Sequence, residues 1–529
     1  MKKTKDAVFS FYMQFYGYFA YMLKHPAADL GILAGVLLSY HSIAFPTGYY
    51  VDSEVVINIP GTSYNWLEIG RYGLVFVKKL LGTTWYNPYY AGILLLLFLW
   101  LSGMSLMYVM DRLFPKLPKA ALCLGSIIFL TYPTFTEQYY FHFQSAEVAF
   151  GLWLSFLAMG MFALFVQKGM VSCFVVTIPV YVLTFAIYQS FIPLALCGYL
   201  MIFLAMAPAQ ASKQGFYMRA IGGSILHFLC SFLISQGIHK LFFASSGYLT
   251  EQVIWSGGES VLSTLTSILV ACGKMFLGYG LFYTCILWFA VIAGGFALWY
   301  YRKECTTGVW VLCLFAISGI LLTPFLLTLL LGASTAARTQ FVYPLAALAL
   351  INFGLRALIL ARPDYKAVKV FGTVLVALLA AGQIATVNYI WHIHSEISDY
   401  DRETSMTLME IFYDSFTLND KGSPVLWGSL QPQTAYDDLI VKSPSYLFLS
   451  VYNLEHATEP YCYFSTIRVL GYMESMGHKF TLPTHKNLSL SAYLMNRESL
   501  PAFPDPGCVF NDSGVLTVNL GNCPEYYYK

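Results

Sequence analysis

The chain has 529 residues, 57% of them hydrophobic and 17% aromatic but only 11% charged. A soluble globular chain carries roughly 25% charged residues, so a fold solvated on all sides is excluded and a polytopic membrane protein is indicated. The net charge of +2, with no basic tract, gives no footing for nucleic acid.

The N-terminus, MKKTKDAVFSF, has a basic start but no short apolar core followed by a small-residue cleavage site, which fits an uncleaved start. Residues 9–23, FSFYMQFYGYFAYML, are too interrupted by polar groups and Tyr to span. They read as an aromatic helix lying at the membrane interface, which sets residues 1–27 apart as a cytoplasmic, interfacial segment.

A spanning helix needs about 20 mainly apolar residues. By that rule about eleven spans follow, near 28–46, 89–110, 120–135, 146–166, 170–187, 190–207, 220–242, 278–300, 309–331, 341–361 and 370–392. Together they make residues 28–392 a polytopic transmembrane domain. With the N-terminus inside, the cytoplasmic side receives Lys2, Lys3, Lys5, Lys24, Arg112, Lys116, Lys119, Lys168, Arg219, Arg302, Lys303, Arg356, Arg362 and further cations. The other side's short loops and helix ends receive only Arg71, Lys78, Lys79, Lys240, Lys274 and Arg338. That bias orients helices in a bilayer, and an odd span count then places residues 393–529 on the exoplasmic side.

Residues 393–529 differ in kind. DYDRETSMTLMEIFYDSF is patterned as an amphipathic helix, SPVLWGSL and SYLFLSVY as strands, and TIRVLGYMESMGH as another helix. CVFNDSGVLTVNLGNC carries a turn signal, NDSG, between two strand-like runs. A small exoplasmic α/β domain is expected, with Cys508 and Cys523 bracketing the hairpin and able to bridge in an oxidising compartment. The remaining cysteines form no CxxC or His/Cys cluster that would suggest zinc or a redox centre.

The exoplasmic loops hold the chemistry-bearing side chains. Loop one opens with GYYVDSEVV, which places Asp52 and Glu54 two positions apart, and continues through SYNWLEIGRYGLVFVKKLLG, whose helical apolar spacing suits the membrane surface. TYPTFTEQYYFHFQSAE offers Glu137, Gln138, His142, Gln144 and Glu147, IYQSF offers Tyr188 and Gln189, and GASTAARTQFVYP has Arg338 as its single charge. Acids, amides, aromatics and a few cations on one face suit a carbohydrate, whose hydroxyls bind carboxylates and amides while its faces pack on rings.

The interfacial aromatic N-terminus, the first span, YYVDSE, then W-x-x-x-GR-x-G (Trp66, Gly70, Arg71, Gly73), and later YQS resemble the integral-membrane O-antigen glucosyltransferases of the serotype-converting Gtr type, members of the GT-C class of membrane glycosyltransferases. The resemblance runs through about residues 10–345 and fades beyond. It implies a polyprenyl-phosphate-linked hexose as donor, a surface polysaccharide or glycan as acceptor, transfer on the exoplasmic side of the bacterial plasma membrane, and an acidic residue of loop one as base. Asp52, with Glu54 beside it, occupies that position.

The chemistry supports this carry-over. An acceptor hydroxyl attacking C1 must lose its proton, and a carboxylate within hydrogen-bond reach can take it. Departure of polyprenyl phosphate needs cations where charge develops. Arg71 and Arg338 are the candidates because their planar forks match phosphate oxygens, with Lys78 beside them, although Lys78 and Lys79 could equally meet lipid headgroups. Direct displacement inverts the anomeric centre. Two residues apart on an extended segment point to opposite sides, so one carboxylate is the base and the other is left to positioning or to a divalent cation. No other cofactor is expected. Trp66, Glu137, Gln138, His142, Tyr188 and Gln189 are the candidate sugar contacts. Plainer roles stay open: a solvated acidic edge, a loop ion pair for Arg71, an interfacial histidine, a helix cap for Glu137. A lipid-linked sugar flippase and a non-catalytic assembly subunit are the alternatives. Polar groups gathered at one face and the absence of repeated halves speak against a transporter.

Overall fold

The computed structural model describes residues 15–45, 50, 52–58, 63–210, 214–243, 261–361, 366–415, 422–428, 430, 448, 459–497 and 500–521. Among them eight helices are long and apolar enough to cross a membrane: Pro26–Ala44, Pro88–Leu113, His142–Lys168, Phe191–Ala209, Gly215–Phe242, Thr307–Leu331, Val342–Ala361 and Gly372–Ser415. The other expected spans are helical but depart from a simple crossing. Lys119–Leu130 and Thr134–Tyr140 form a bent pair, turned by 48°, at Pro133, which lacks an N–H and disfavours helix in the residue before it. Val171–Ile187 is apolar but short, and Ile286–Glu304 ends on Arg302, Lys303 and Glu304. Val261–Leu277, read from sequence as loop, is a further apolar helix.

Residues 15–24 are helical and pack on the bundle through Tyr18, which is fully buried and whose hydroxyl donates to the Leu101 carbonyl at 3.0 Å. The expected interfacial helix begins in residues 9–14, which lie outside the described residues. Loop one folds into three short helices, Ser53–Asn58, Ser63–Glu68 and Tyr72–Leu81. The GR-x-G motif supplies the break between the last two. Gly70 sits at φ +80°, a left-handed conformation that a β-carbon disfavours. At Gly73 a β-carbon would lie 2.7 Å from the Leu183 carbonyl, so only glycine lets Tyr72–Leu81 close onto Val171–Ile187, as small residues do at membrane helix contacts.

The last span and the amphipathic run after it form one continuous helix, Lys366–Ser415, so the boundary expected at 392/393 falls inside a helix. Beyond it stand the helices Glu459–Ser475 and His485–Arg497 and a three-stranded sheet. β1 (Ser423–Trp427) is parallel to β3 (Val515–Asn519), and β2 (Val509–Asp512) is antiparallel to β3. The expected hairpin is present. Its turn, Ser513 at φ 52° and Gly514 at φ 83°, has both central residues left-handed, which matches the twist of the flanking strands. Strand alternation divides the core: Leu426, Leu516 and Val518 pack with Val469, Met473 and Phe412, while Val425, Trp427 and Val515 pack with Leu488 and Met495. Cys508 is buried, whereas Cys523 lies outside the described residues, as does most of SYLFLSVY except the buried Phe448.

Candidate active site

One segment, Glu137 to Glu147 (EQYYFHFQSAE), gathers most of the predicted side chains. It starts in the short helix after the Pro133 break and runs into the span His142–Lys168. At its start Glu137 accepts two hydrogen bonds from Arg338, one from Nη1 and one from the backbone N–H, each at 2.9 Å. The Arg338 guanidinium lies over the Phe141 ring, 4.7 Å from its centroid. Two helical turns on, Gln144 faces Arg71. The Arg71 Nη1 and Nε are 3.5 and 3.4 Å from the amide oxygens of Gln144 and Gln189, and its guanidinium stacks 4.6 Å from the Tyr188 centroid. Gln189 also donates to the Ile69 carbonyl at 2.8 Å, which ties the YQS turn to the GR-x-G break.

At the far end of the segment Glu147 pairs with Lys78 at 3.1 Å. Lys78 is buried, also donates to the Phe143 carbonyl, and lies 5.3 Å from the Trp66 centroid. Thr83 donates to the same Glu147 carboxylate. Lys78 is therefore an internal counter-ion, and Trp66, stacked on Phe143 at 5.4 Å, is a packing residue of the same layer. A buried pair of this kind fixes geometry more than it adds stability.

The acidic pair of loop one is organised by a residue that sequence reasoning did not select. Glu54 lies 2.7 Å from Nε of Arg468, and Asp52 lies 3.8 Å from its Nη2. The side chains of Glu54 and Arg468 are 3% and 8% exposed, that of Asp52 39%. Asp52 does not sit on an extended segment. It has φ 63°, its carbonyl accepts from the Val56 N–H at 3.1 Å, and it leads into the helix Ser53–Asn58, so both carboxylates meet one guanidinium instead of facing apart. Burial raises the Glu54 carboxyl above its ordinary range and the Asp52 charge adds to this, while Arg468 opposes both. Burial works against the Arg468 charge, yet Glu54 and Asp52 outweigh it and hold the guanidinium protonated.

Tyr50 links the two halves. It lies 5.2 Å from His142 and stacks at 4.8 Å on His394, which also stacks on Tyr140 at 4.7 Å. His142 accepts from or donates to the Tyr86 hydroxyl at 2.8 Å. Gln138 is fully buried, and neither of its amide atoms has a hydrogen-bond partner among the described residues. Arg468, His394 and Tyr50 were missed by sequence reasoning. The one available signal was that Arg468 is the sole Lys or Arg in the helix Glu459–Ser475.

Among the described residues no group of three or more His, Cys, Asp or Glu side chains is arranged to hold a metal ion. The buried acid–arginine cluster and the arginine-lined segment are thus linked through Tyr50 and His142, and the helix Glu459–Ser475 of the C-terminal region packs on the loop-one helix Ser53–Asn58.

The family model for glucosyl transferase GtrII matches residues 42–354, which include Asp52, Glu54, Arg71, Glu137, Gln189 and Arg338 but not Arg468. No individually curated protein matches the chain. The match covers more than half of the sequence and coincides with the helical region that builds the site, so the chain belongs to the GtrII glucosyl transferase family.

Proposed function

We propose that this glucosyltransferase moves a hexose, glucose by its family, from a polyprenyl-phosphate donor to a polysaccharide or glycan on the exoplasmic face of the bacterial plasma membrane, with inversion. The observation that carries the reading is the convergence of segment 137–147, which positions Arg338 through Glu137 and Arg71 through Gln144, with an accessible carboxylate at Asp52.

Asp52 is the base. Glu54 is enclosed against Arg468, and an acceptor hydroxyl needs a carboxylate it can reach. The hydroxyl proton passes to Asp52 as its oxygen attacks C1. The bond from C1 to the phosphate oxygen breaks, and polyprenyl phosphate leaves with the electron pair. Its charge develops toward Arg338 and Arg71. Glu54, enclosed against Arg468, is not offered as a covalent nucleophile, and direct displacement by the acceptor oxygen is single and inverting. Gln138 offers a buried amide to sugar hydroxyls. An apolar groove of about 890 Å³, lined by Leu67, Tyr72, Phe76, Val182 and Ile238 among others, includes the residue next to Arg71 and suits a polyprenyl chain.

The test is transfer from synthetic polyprenyl-phosphate glucose to an acceptor glycan by purified protein in detergent. Donor that crosses a vesicle bilayer without any transfer would favour the flippase. The proposed orientation has its own check. Protease added to spheroplasts should cut within residues 393–529 and spare an N-terminal tag; cleavage only after lysis would reverse the sidedness and the site with it.

A further inference from the structure

We infer that Arg468 is a positioning residue of the transfer reaction: it holds Glu54 in a buried ion pair and fixes the Asp52 carboxylate, so that the C-terminal region completes the active site. The inference rests on Asp52 being the base, and it concerns a residue outside the stretch matched by the family, 42–354.

An arginine buried this deeply, 414 positions along the chain from its partner, needs a reason. Taking an ion pair out of water costs several kcal/mol per ion, and an apolar pair would pack the same contact between Ser53–Asn58 and Glu459–Ser475 more cheaply. The geometry also divides the two acids. The 2.7 Å contact to Glu54 is a direct charge-assisted hydrogen bond, whereas the 3.8 Å contact to Asp52 is longer and leaves that carboxylate open. Asp52 is held in a left-handed conformation that non-glycine residues adopt at a cost and that clusters at functional sites. Arg468 thus screens the base from a buried carboxylate two residues away and sets its direction.

The charged and titratable groups around Arg468 come from every element packed there. Asp52 and Glu54 lead into and lie on the helix Ser53–Asn58, and Asp401 lies on the helix Lys366–Ser415, close enough for its charge to act on the guanidinium. Tyr472 stands one turn beyond Arg468 and feels Asp401, Arg402, Glu54 and Asp399. His142 and His394 flank Tyr50, two residues before Asp52.

The experiment measures kcat and donor KM for Arg468→Met, Arg468→Lys and the charge-balanced double variant Glu54→Gln/Arg468→Met. Arg468→Met should lower kcat about tenfold or more with little change in donor KM. Arg468→Lys should restore only part of kcat, because an ammonium lacks the fork. If Arg468 merely neutralises Glu54, the double variant should regain wild-type kcat, and that result overturns the inference. The double variant removes both charges of the buried pair together, so it decides the matter even where Arg468→Met fails to fold. Failure of the underlying reading shows separately: Asp52→Asn retaining transfer removes the base, whereas an inactive Asp52→Asn beside Arg468 variants with wild-type kcat removes only the role of Arg468.

Discussion

Asp52→Asn is expected to lower transfer by about 10²–10⁴-fold, the range for removing a positioned general base, and to leave donor binding intact. Asparagine keeps the shape of the side chain and can accept a hydrogen bond from the acceptor hydroxyl, but it cannot take up the proton. In the proposed mechanism the donor phosphate is held elsewhere, by the arginines on the Tyr188–Gln189 and Glu137 side of the site, so the loss should fall on kcat and not on donor KM. Glu54→Gln behaves differently. It removes a charge enclosed with Arg468 and away from the acceptor hydroxyl, so its effect should be smaller. The measurement is single-turnover transfer from synthetic donor with each variant checked for folding. Near wild-type transfer by the Asp52→Asn/Glu54→Gln double variant would reduce the pair to a loop anchor.

The helical architecture was legible from composition and from apolar runs because lipid demands long, uniformly apolar helices. Span number was less so. A run such as 120–135 looks continuous in hydropathy, and only Pro133 marks where the helix turns by 48°. Val261–Leu277 falls between the expected spans 220–242 and 278–300, yet it is a further apolar helix. The GR-x-G motif gave its own reason once folded, since Gly70 makes the turn and Gly73 admits the neighbouring backbone. The grouping of Glu137, His142, Gln144 and Glu147 on one segment was visible, but not which cation each would face. Lys78 went inward to Glu147, and a hydropathy profile cannot separate a buried lysine from one at a headgroup. The assumption that Asp52 and Glu54 diverge failed because it presumed extended backbone, and the left-handed turn at Asp52 leaves no mark in a sequence where Asp tolerates it. Arg468 was illegible for a different reason. Its hydrogen-bond partner Glu54 is 414 positions away, and no local pattern encodes a contact at that separation.

Arg338→Ala is expected to reduce transfer by about 10²–10³-fold, the usual cost of removing one preorganised stabiliser of developing charge, and to raise donor KM as well. Two consequences follow because the Arg338 side chain faces both ways. Toward the protein it donates to Glu137, and its ring contact with Phe141 sets the plane of the guanidinium. Toward the site its side chain is 30% exposed, where a phosphate oxygen can approach. A cation that grips the donor in the ground state and more tightly as the leaving group gains charge must affect binding and turnover together, unlike Asp52. Arg338→Lys keeps the charge without the bidentate fork and should fall between. Loss of the Glu137 contact alone would also impair a variant, so the diagnostic is leaving-group chemistry. A donor analogue with a less basic leaving group needs less help in departing, and the defect of Arg338→Ala should shrink on it while that of Asp52→Asn stays the same or nearly so. An Arg338→Ala defect equal on both donors would mean that Arg338 acts only as the partner of Glu137, and the phosphate would then have to be held by Arg71.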